Sequence, residues 1–195
     1  MPFDPATIAR WRQDLVFSEV LGERRFQFRS TWGLFSPEHI DDGSRLLLDY
    51  LDVAPADDCL DLGCGWGVLG IVLASRAPRG KTLMVDKDFV AVEYAKKNVA
   101  LNHLDNCQTI LSNGFASVGD RRFHHIVSNF PAKASKEQHY LFLVDAFEHL
   151  RPGGQFTVVT ISGLREFIAR TFNEVFGNYR KLKQGKTYTV AQAVK

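Results

Sequence analysis

Two stretches of this sequence carry residues whose types and spacing serve chemistry rather than packing. The first is Asp61-Leu62-Gly63-Cys64-Gly65-Trp66-Gly67, placed just before an apolar run that begins at Val68. Glycine adopts positive φ readily and leaves its backbone bare, so three glycines in five residues suit a loop that a ligand approaches closely. Which ligand is open at this level. Gly65-Trp66-Gly67-Val68-Leu69-Gly70 matches the dinucleotide pattern, which serves a pyrophosphate, whereas Asp61 suits an ammonium, directly or through water. Asp86 closes a second apolar run, where an acceptor can take both hydroxyls of a ribose, and that suits either ligand. Asn113, followed by Gly114, offers an amide to an adenine edge or makes an ordinary turn. The second stretch is Asn129-Phe130-Pro131, at the end of the Ile126-Val127 run. A strand that merely crossed a core would not finish on an amide and a proline.

Such residues need elements to hold them. Short apolar runs bounded by turn residues predict strands over 59–63, 81–86, 107–112, 124–129 and 154–161. Helical spacing places Phe89, Val92, Ala95 and Val99 on one face of 88–102, with Lys96, Lys97 and Asn98 outward. Residues 164–176 follow the same rule through Leu164, Phe167, Ile168, Phe172, Val175 and Phe176. A helix is expected near 5–20, with Arg10, Arg12, Arg24, Arg25 and Arg29 extending a basic surface, and a hairpin turning at Gln184-Gly185 closes the chain. Buried strands alternating with amphipathic helices imply an α/β fold, a mostly parallel sheet with helices on both faces. At 195 residues, 45% of them hydrophobic, one domain over 1–195 is expected, with 1–30 as lead-in and 31–195 as the core.

Composition narrows the classes further. No stretch is apolar enough for a membrane span, the N-terminus lacks an apolar leader, and three scattered cysteines without a Cys-x-x-Cys pair suit a reduced, cytoplasmic protein without zinc or disulfides. Net charge is +2, but residues 151–195 carry +6 and the preceding 150 carry −4. That basic end suits a polyanion or a solvated edge hairpin equally. His124 and His125 begin a strand, away from ligand-bearing loops, and read as structural; Lys133 and Lys136 suit phosphates or a helix start.

Taken whole, Asp-Leu-Gly-Cys-Gly-Trp-Gly resembles the first motif of class I S-adenosylmethionine-dependent methyltransferases, whose Rossmann-like fold matches the expected architecture. The stretch 29–51 and the tail from Phe172 are similar to the "methyltransferase small" group, which includes enzymes that methylate the exocyclic N2 amine of guanine in ribosomal RNA. The resemblance implies S-adenosylmethionine as cofactor, RNA as substrate, and a lid and wall over the cofactor from Phe35, Ser36, Asp41, Gly43 and Ser44. It also implies a catalytic loop at Asn129, Phe130 and Pro131, where the group has Asn-Pro-Pro and then an apolar or aromatic residue. There the Asn129 amide oxygen and the Phe130 carbonyl would accept both N–H bonds of the amine, and Pro131 would stiffen the turn. Two positions depart from the group. Phe130 replaces the first proline, and Ala132 stands where an aromatic stacks on the base, leaving Phe130, Trp32 or Phe35 to substitute. The altered loop also admits an amine of a protein or small molecule, or a module without catalysis. Two-domain relatives carry a further RNA domain, so a partner or assembled ribosomal particle is expected to complete recognition.

Overall fold

The computed structural model describes residues 4–131 and 133–195. A short helix α1 (Pro5–Trp11) leads into an antiparallel hairpin of β1 (Leu15–Leu21) and β2 (Arg24–Ser30), followed by α2 (Asp42–Leu48). Then β3 (Cys59–Leu62), α3 (Val68–Arg76), β4 (Thr82–Asp86), α4 (Phe89–Leu101) and β5 (Cys107–Leu111) alternate. They are followed by β6 (Phe123–Asn129), α5 (Lys136–His149), β7 (Leu150–Ile161), α6 (Arg165–Phe176), β8 (Arg180–Gln184) and β9 (Tyr188–Val194). The main sheet has the order β5-β4-β3-β6-β7-β9-β8. β3 to β7 are parallel, and β9 and β8 add an antiparallel hairpin at the edge.

The five core strands match the expected runs to within a few residues; β3, β4 and β6 show as apolar runs because they are buried on both faces, and the edge strand β5 is only partly covered. Alternate side chains face opposite helical layers. Cys59, Met84, Val127, Val159 and Val190 face α2, α3, α4 and the β1–β2 hairpin, while Leu60, Val85, Ile126, Phe156 and Ala191 face α5 and α6.

The lead-in differs from expectation. Residues 5–20 are not one helix: α1 stops at Trp11, and Leu15–Leu21 is a strand. The reason is tertiary. Phe26 and Phe28 of β2 sit at 1% and 0% exposure in the core, and β1 pairs with β2 along its whole length. The other edge of β2 meets two amides of α4. Asn98 accepts from the Arg29 N–H and donates to the Arg29 carbonyl, and Asn102 does the same with Gln27. Two asparagines four apart thus act as a surrogate strand for residues two apart on β2. The outward placement of Asn98 is thereby overturned, since it is fully buried, while Phe89, expected inward, is 66% exposed.

β3 and β6 are neighbours, although the chain runs through β4 and β5 between them. Loops leaving β3 and β6 therefore diverge to opposite sides, opening a crevice at their carboxyl ends. Both chemistry-bearing stretches sit there.

Candidate active site

The glycine loop occupies one wall of that crevice. Gly63 (φ +73°) and Gly65 (φ +53°) have no protein atom within 4 Å of where a Cβ would stand, so their backbone lies bare. Gly67 (φ +98°) is turned away. It precedes α3 and packs against Ala95, Ile71 and Met84. Gly70 allows α3 to rest on β4, where an added Cβ would fall 2.3 Å from Met84. The loop is tied to the next strand by a 2.8 Å bond from the Gly65 N–H to Asp86 Oδ2, and the Asp88 N–H binds Oδ1 at 2.9 Å. Two fixed donors orient the Asp86 carboxylate and leave a lone pair on each oxygen for further hydrogens.

Asp61 lies beneath the loop at 1% exposure. Its Oδ2 accepts the Gly70 N–H at 2.8 Å, but its buried Oδ1 has no partner among the described residues. Burial pushes this carboxyl up to about 7, with the Asp86 charge adding to it and the Gly70 bond opposing it. An orphaned buried carboxylate oxygen costs free energy unless a donor arrives.

Asn129 forms the other wall. Its Nδ2 donates to Asp41 Oδ2 at 2.7 Å and to Ser44 Oγ at 3.0 Å. A carboxylate can only accept, so the amide orientation is unambiguous, and Oδ1 is left as the acceptor. Asp41 is itself fixed. As N-cap of α2 it accepts the Ser44 N–H, and its Oδ1 accepts the Tyr188 hydroxyl at 3.1 Å. Burial and the neighbouring Asp41 push the Tyr188 phenol above its ordinary range, which keeps it a donor. Gly43 stands behind this clamp, where a Cβ would lie 2.9 Å from Asp41 Oδ2 and 3.1 Å from Tyr188.

These walls enclose a cavity of about 670 Å³. Its lining includes Asp61, Gly63, Gly65, Asp86 and Asn113, and also Phe35, Ser36, Asp41, Ser44, Asn129, Phe130 and Pro131. Gly43 and Gly67 do not reach it, because each is packed against side chains behind the wall. The Trp66 indole donates to the Phe35 carbonyl at 3.0 Å and so fastens the 31–40 loop over the mouth. Burial raises all three thiols, Cys59 and Cys107 to about 12 and Cys64 well above its usual value, so no cysteine here is a nucleophile.

Phe130 corrects one expectation. Its ring is 2% exposed and faces inward among His139, Phe142 and Phe156, so it cannot stack on a bound base. Its N–H donates to the Val159 carbonyl at 2.8 Å, a bond that proline at this position could not make. Phe130 lines the cavity, and with its ring packed among these aromatics the group it has left to offer a ligand is its carbonyl. Trp32 is exposed but lies off the cavity, whereas Phe35 is 69% exposed at its rim. Ala132 lies outside the described residues. Tyr188 and His139 were missed from sequence. Tyr188 reaches the site only because β9 pairs Tyr188 with Ile161 at the carboxyl end of β7.

A glycine loop after the first parallel strand, an acid ending the next, and an Asn-x-Pro tip across the switch point define the class I methyltransferase architecture. Residues 25–192 match the methyltransferase small domain, and the chain belongs to that family. It is 30% identical over 191 residues to a ribosomal RNA small subunit methyltransferase C of Hamiltonella defensa, covering 93% of this chain and 56% of that protein. It is also 30% identical to the uncharacterised protein YbxB of Bacillus subtilis, covering 90% of this chain and 89% of that one. Among solved structures, the 16S rRNA N2 methyltransferase RsmC of T. thermophilus, in complex with AdoMet and guanosine, superposes with a TM-score of 0.85. It shares 28% identity and covers 93% of this chain and 50% of its own. The chain thus spans about half the length of the methyltransferase C relatives it matches. No helix among the described residues is long and apolar enough to cross a membrane.

Proposed function

We propose that this protein methylates the exocyclic N2 amine of guanine in ribosomal RNA, in the cytoplasm, with S-adenosylmethionine as donor and residues 31–195 as the catalytic unit. The observation that carries the reading is the clamped Asn129 amide, whose two N–H bonds are occupied by Asp41 and Ser44 so that its oxygen is left to accept. The names of the relatives and the guanosine in the RsmC complex support the same substrate.

The cavity fits the donor. Asp61 Oδ1 is an orphaned acceptor for the α-ammonium, Gly63 and Gly65 offer bare backbone to the methionine, Asp86 has lone pairs for the ribose hydroxyls, and Asn113 stands at the adenine end. When bound, S-adenosylmethionine supplies a methyl carbon made electrophilic by its sulfonium.

Chain residues do the remaining work on the amine. The guanine N2 lone pair is delocalised into the ring and is a poor nucleophile. Accepting its two N–H bonds at Asn129 Oδ1 and the Phe130 carbonyl turns that lone pair out of conjugation, toward the cofactor side of the cavity. The Asp41 carboxylate pulls on the amide hydrogen of Asn129 and so enriches its oxygen, strengthening the acceptor as positive charge develops on N2. The methylated amine sheds its proton to water, so no strong base is required. Phe35 offers the stacking plane that the loop lacks, a contact of about 1–3 kcal/mol per base.

The test is transfer of a radiolabelled methyl group from S-adenosylmethionine into ribosomal RNA, protein and metabolite fractions, followed by nucleoside digestion. Label in N2-methylguanosine is the expected result. Label confined to protein or metabolites, or binding of NAD in place of the methyl donor, would reject it.

A further inference from the structure

The Asn129 acceptor is fixed by Asp41 and Ser44, but nothing in that clamp fixes the second acceptor, the Phe130 carbonyl. In a loop with two prolines the ring constraints would hold the peptide planes; here one of those prolines is absent. A different device stands in its place. The Phe130 N–H extends the β6–β7 ladder to Val159. Its ring lies on the imidazole of His139, with centroids 4.7 Å apart and planes at 29°. The same imidazole reaches the next peptide, with His139 Nε2 2.7 Å from the Pro131 carbonyl oxygen. A carbonyl only accepts, so Nε2 carries the hydrogen.

His139 is well placed to act as an anchor. It is 1% exposed and sits on the first turn of α5, where its own N–H binds the Ser135 carbonyl at 3.0 Å. Ser135 caps that helix by accepting the Gln138 N–H. The Phe130–Pro131 peptide is therefore held on both sides by one rigid, helix-borne ring. We propose that His139 is a positioning residue for methyl transfer: its Nε2–H holds the Pro131 carbonyl and thereby aims the Phe130 carbonyl at the amine. This rests on the amine-methylation reading, since the Phe130 carbonyl matters only if it meets a donor.

Three variants separate the bond from the packing. His139→Phe keeps an aromatic face for Phe130 but removes the donor. His139→Gln keeps a donor at nearly the reach of Nε2, and His139→Asn carries the same amide one methylene short. Misplacing a reacting group by about 1 Å costs up to about 10² in rate. Turnover should fall about 10- to 100-fold in the Phe and Asn variants and recover to within about threefold of wild type in the Gln variant. KM and the dissociation constant for S-adenosylmethionine should stay unchanged, a split that general loosening of the core would not give. Wild-type turnover in His139→Phe, or equal loss in the Gln and Asn variants, overturns the proposal. If His139→Phe does not fold, the Gln and Asn pair decides alone.

A second measurement does not need activity. Hydrogen exchange at the Phe130 amide, followed in the cofactor-free protein, should quicken at least about tenfold in His139→Phe or His139→Asn and not in His139→Gln. Unchanged exchange in all three overturns the role of His139. A wild-type protein inert on RNA, with Phe130 exchange quickened as stated, rejects the substrate reading and leaves the anchoring of the loop supported.

Discussion

At the residue scale, three carboxylates (Asp41, Asp61 and Asp86) and the clamped Asn129 amide line the cavity, and burial raises Asp61. On the proposed mechanism, Asn129→Ala removes one of two acceptors while sparing the glycine loop assigned to the donor. Losing one oriented partner of a transition state costs about 10²–10³ in rate, by analogy with oxyanion-hole deletions. The loss should fall on kcat and kcat/KM alike, with S-adenosylmethionine affinity by calorimetry nearly intact. Wild-type turnover would mean that β6 ends in Asn-x-Pro for packing alone. Asp61 gives a pH-dependent prediction. An unfolded carboxyl ionises near 3.8, but burial holds the folded one protonated up to about 7. The folded state therefore binds more protons between those values, and this group makes the ligand-free protein less stable as pH rises from about 4 to about 7. A cationic ammonium wants the ionised form. Binding near pH 7 should then release a fraction of a proton, and affinity should rise with pH up to about 7 and level off above it. Calorimetry in buffers of different ionisation enthalpy reads that proton directly. The release should vanish in Asp61→Asn; a proton count that survives this substitution assigns it elsewhere.

At the scale of elements, what the sequence made legible follows from what buries it. β3, β4 and β6 are covered on both faces, so each is an apolar run closed by turn residues, and the ligand-bearing loops could be placed from those runs. The β1–β2 hairpin was missed although β2 alternates cleanly, with Phe26, Phe28 and Ser30 buried and Arg25, Gln27 and Arg29 exposed; the arginines were weighed as surface charge and the period of two between them was passed over. Asn98 misled for a different reason. Helical periodicity treats an amide as solvent-seeking, whereas this one satisfies a strand edge. Asp41, expected as a wall over the cofactor, lines the cavity, and its bond to Asn129, 88 residues away, was not legible because only the fold brings the two together. The two amides on α4 can be told apart experimentally. Asn102→Ala orphans the backbone of Gln27, at about 1–3 kcal/mol per buried group. For a chain of this size that lowers Tm by roughly 2–4 °C per kcal/mol, with cofactor affinity unchanged. Asn98→Ala should lower Tm similarly but also weaken S-adenosylmethionine binding, because Asn98 Nδ2 donates to the Trp66 carbonyl in the glycine loop. Equal affinities in the two variants would show that the loop holds its shape without that bond.

At the scale of the whole molecule, charge and topology converge on one edge. The +6 of residues 151–195 was visible in the sequence, but its location relative to the site was not. β8 is the last strand of the sheet, and Arg180, Lys181 and Lys183 on it are exposed. β8 runs antiparallel to β9, which runs antiparallel to β7, so the β8–β9 turn bearing Lys186 falls at the carboxyl end of the parallel strands. Tyr188, two residues past Lys186, lines the cavity. Among the described residues the salt bridges of this region join Arg151 to Asp58, Arg165 to Glu166 and Arg170 to Glu174, and none engages these four cations. A basic edge leading to a cavity suits a polyanion whose base enters the site while its backbone follows the edge. Each phosphate contact with a single strand contributes about −0.7 to the slope of log affinity against log salt. Replacing Lys183 and Lys186 with Gln should therefore flatten that slope by roughly one unit or more and weaken RNA binding most at low salt. Asn129 and the glycine loop are untouched by these changes, so kcat at saturating RNA should hold while KM for RNA rises. A slope unchanged by both substitutions would assign the hairpin to ordinary solvated surface.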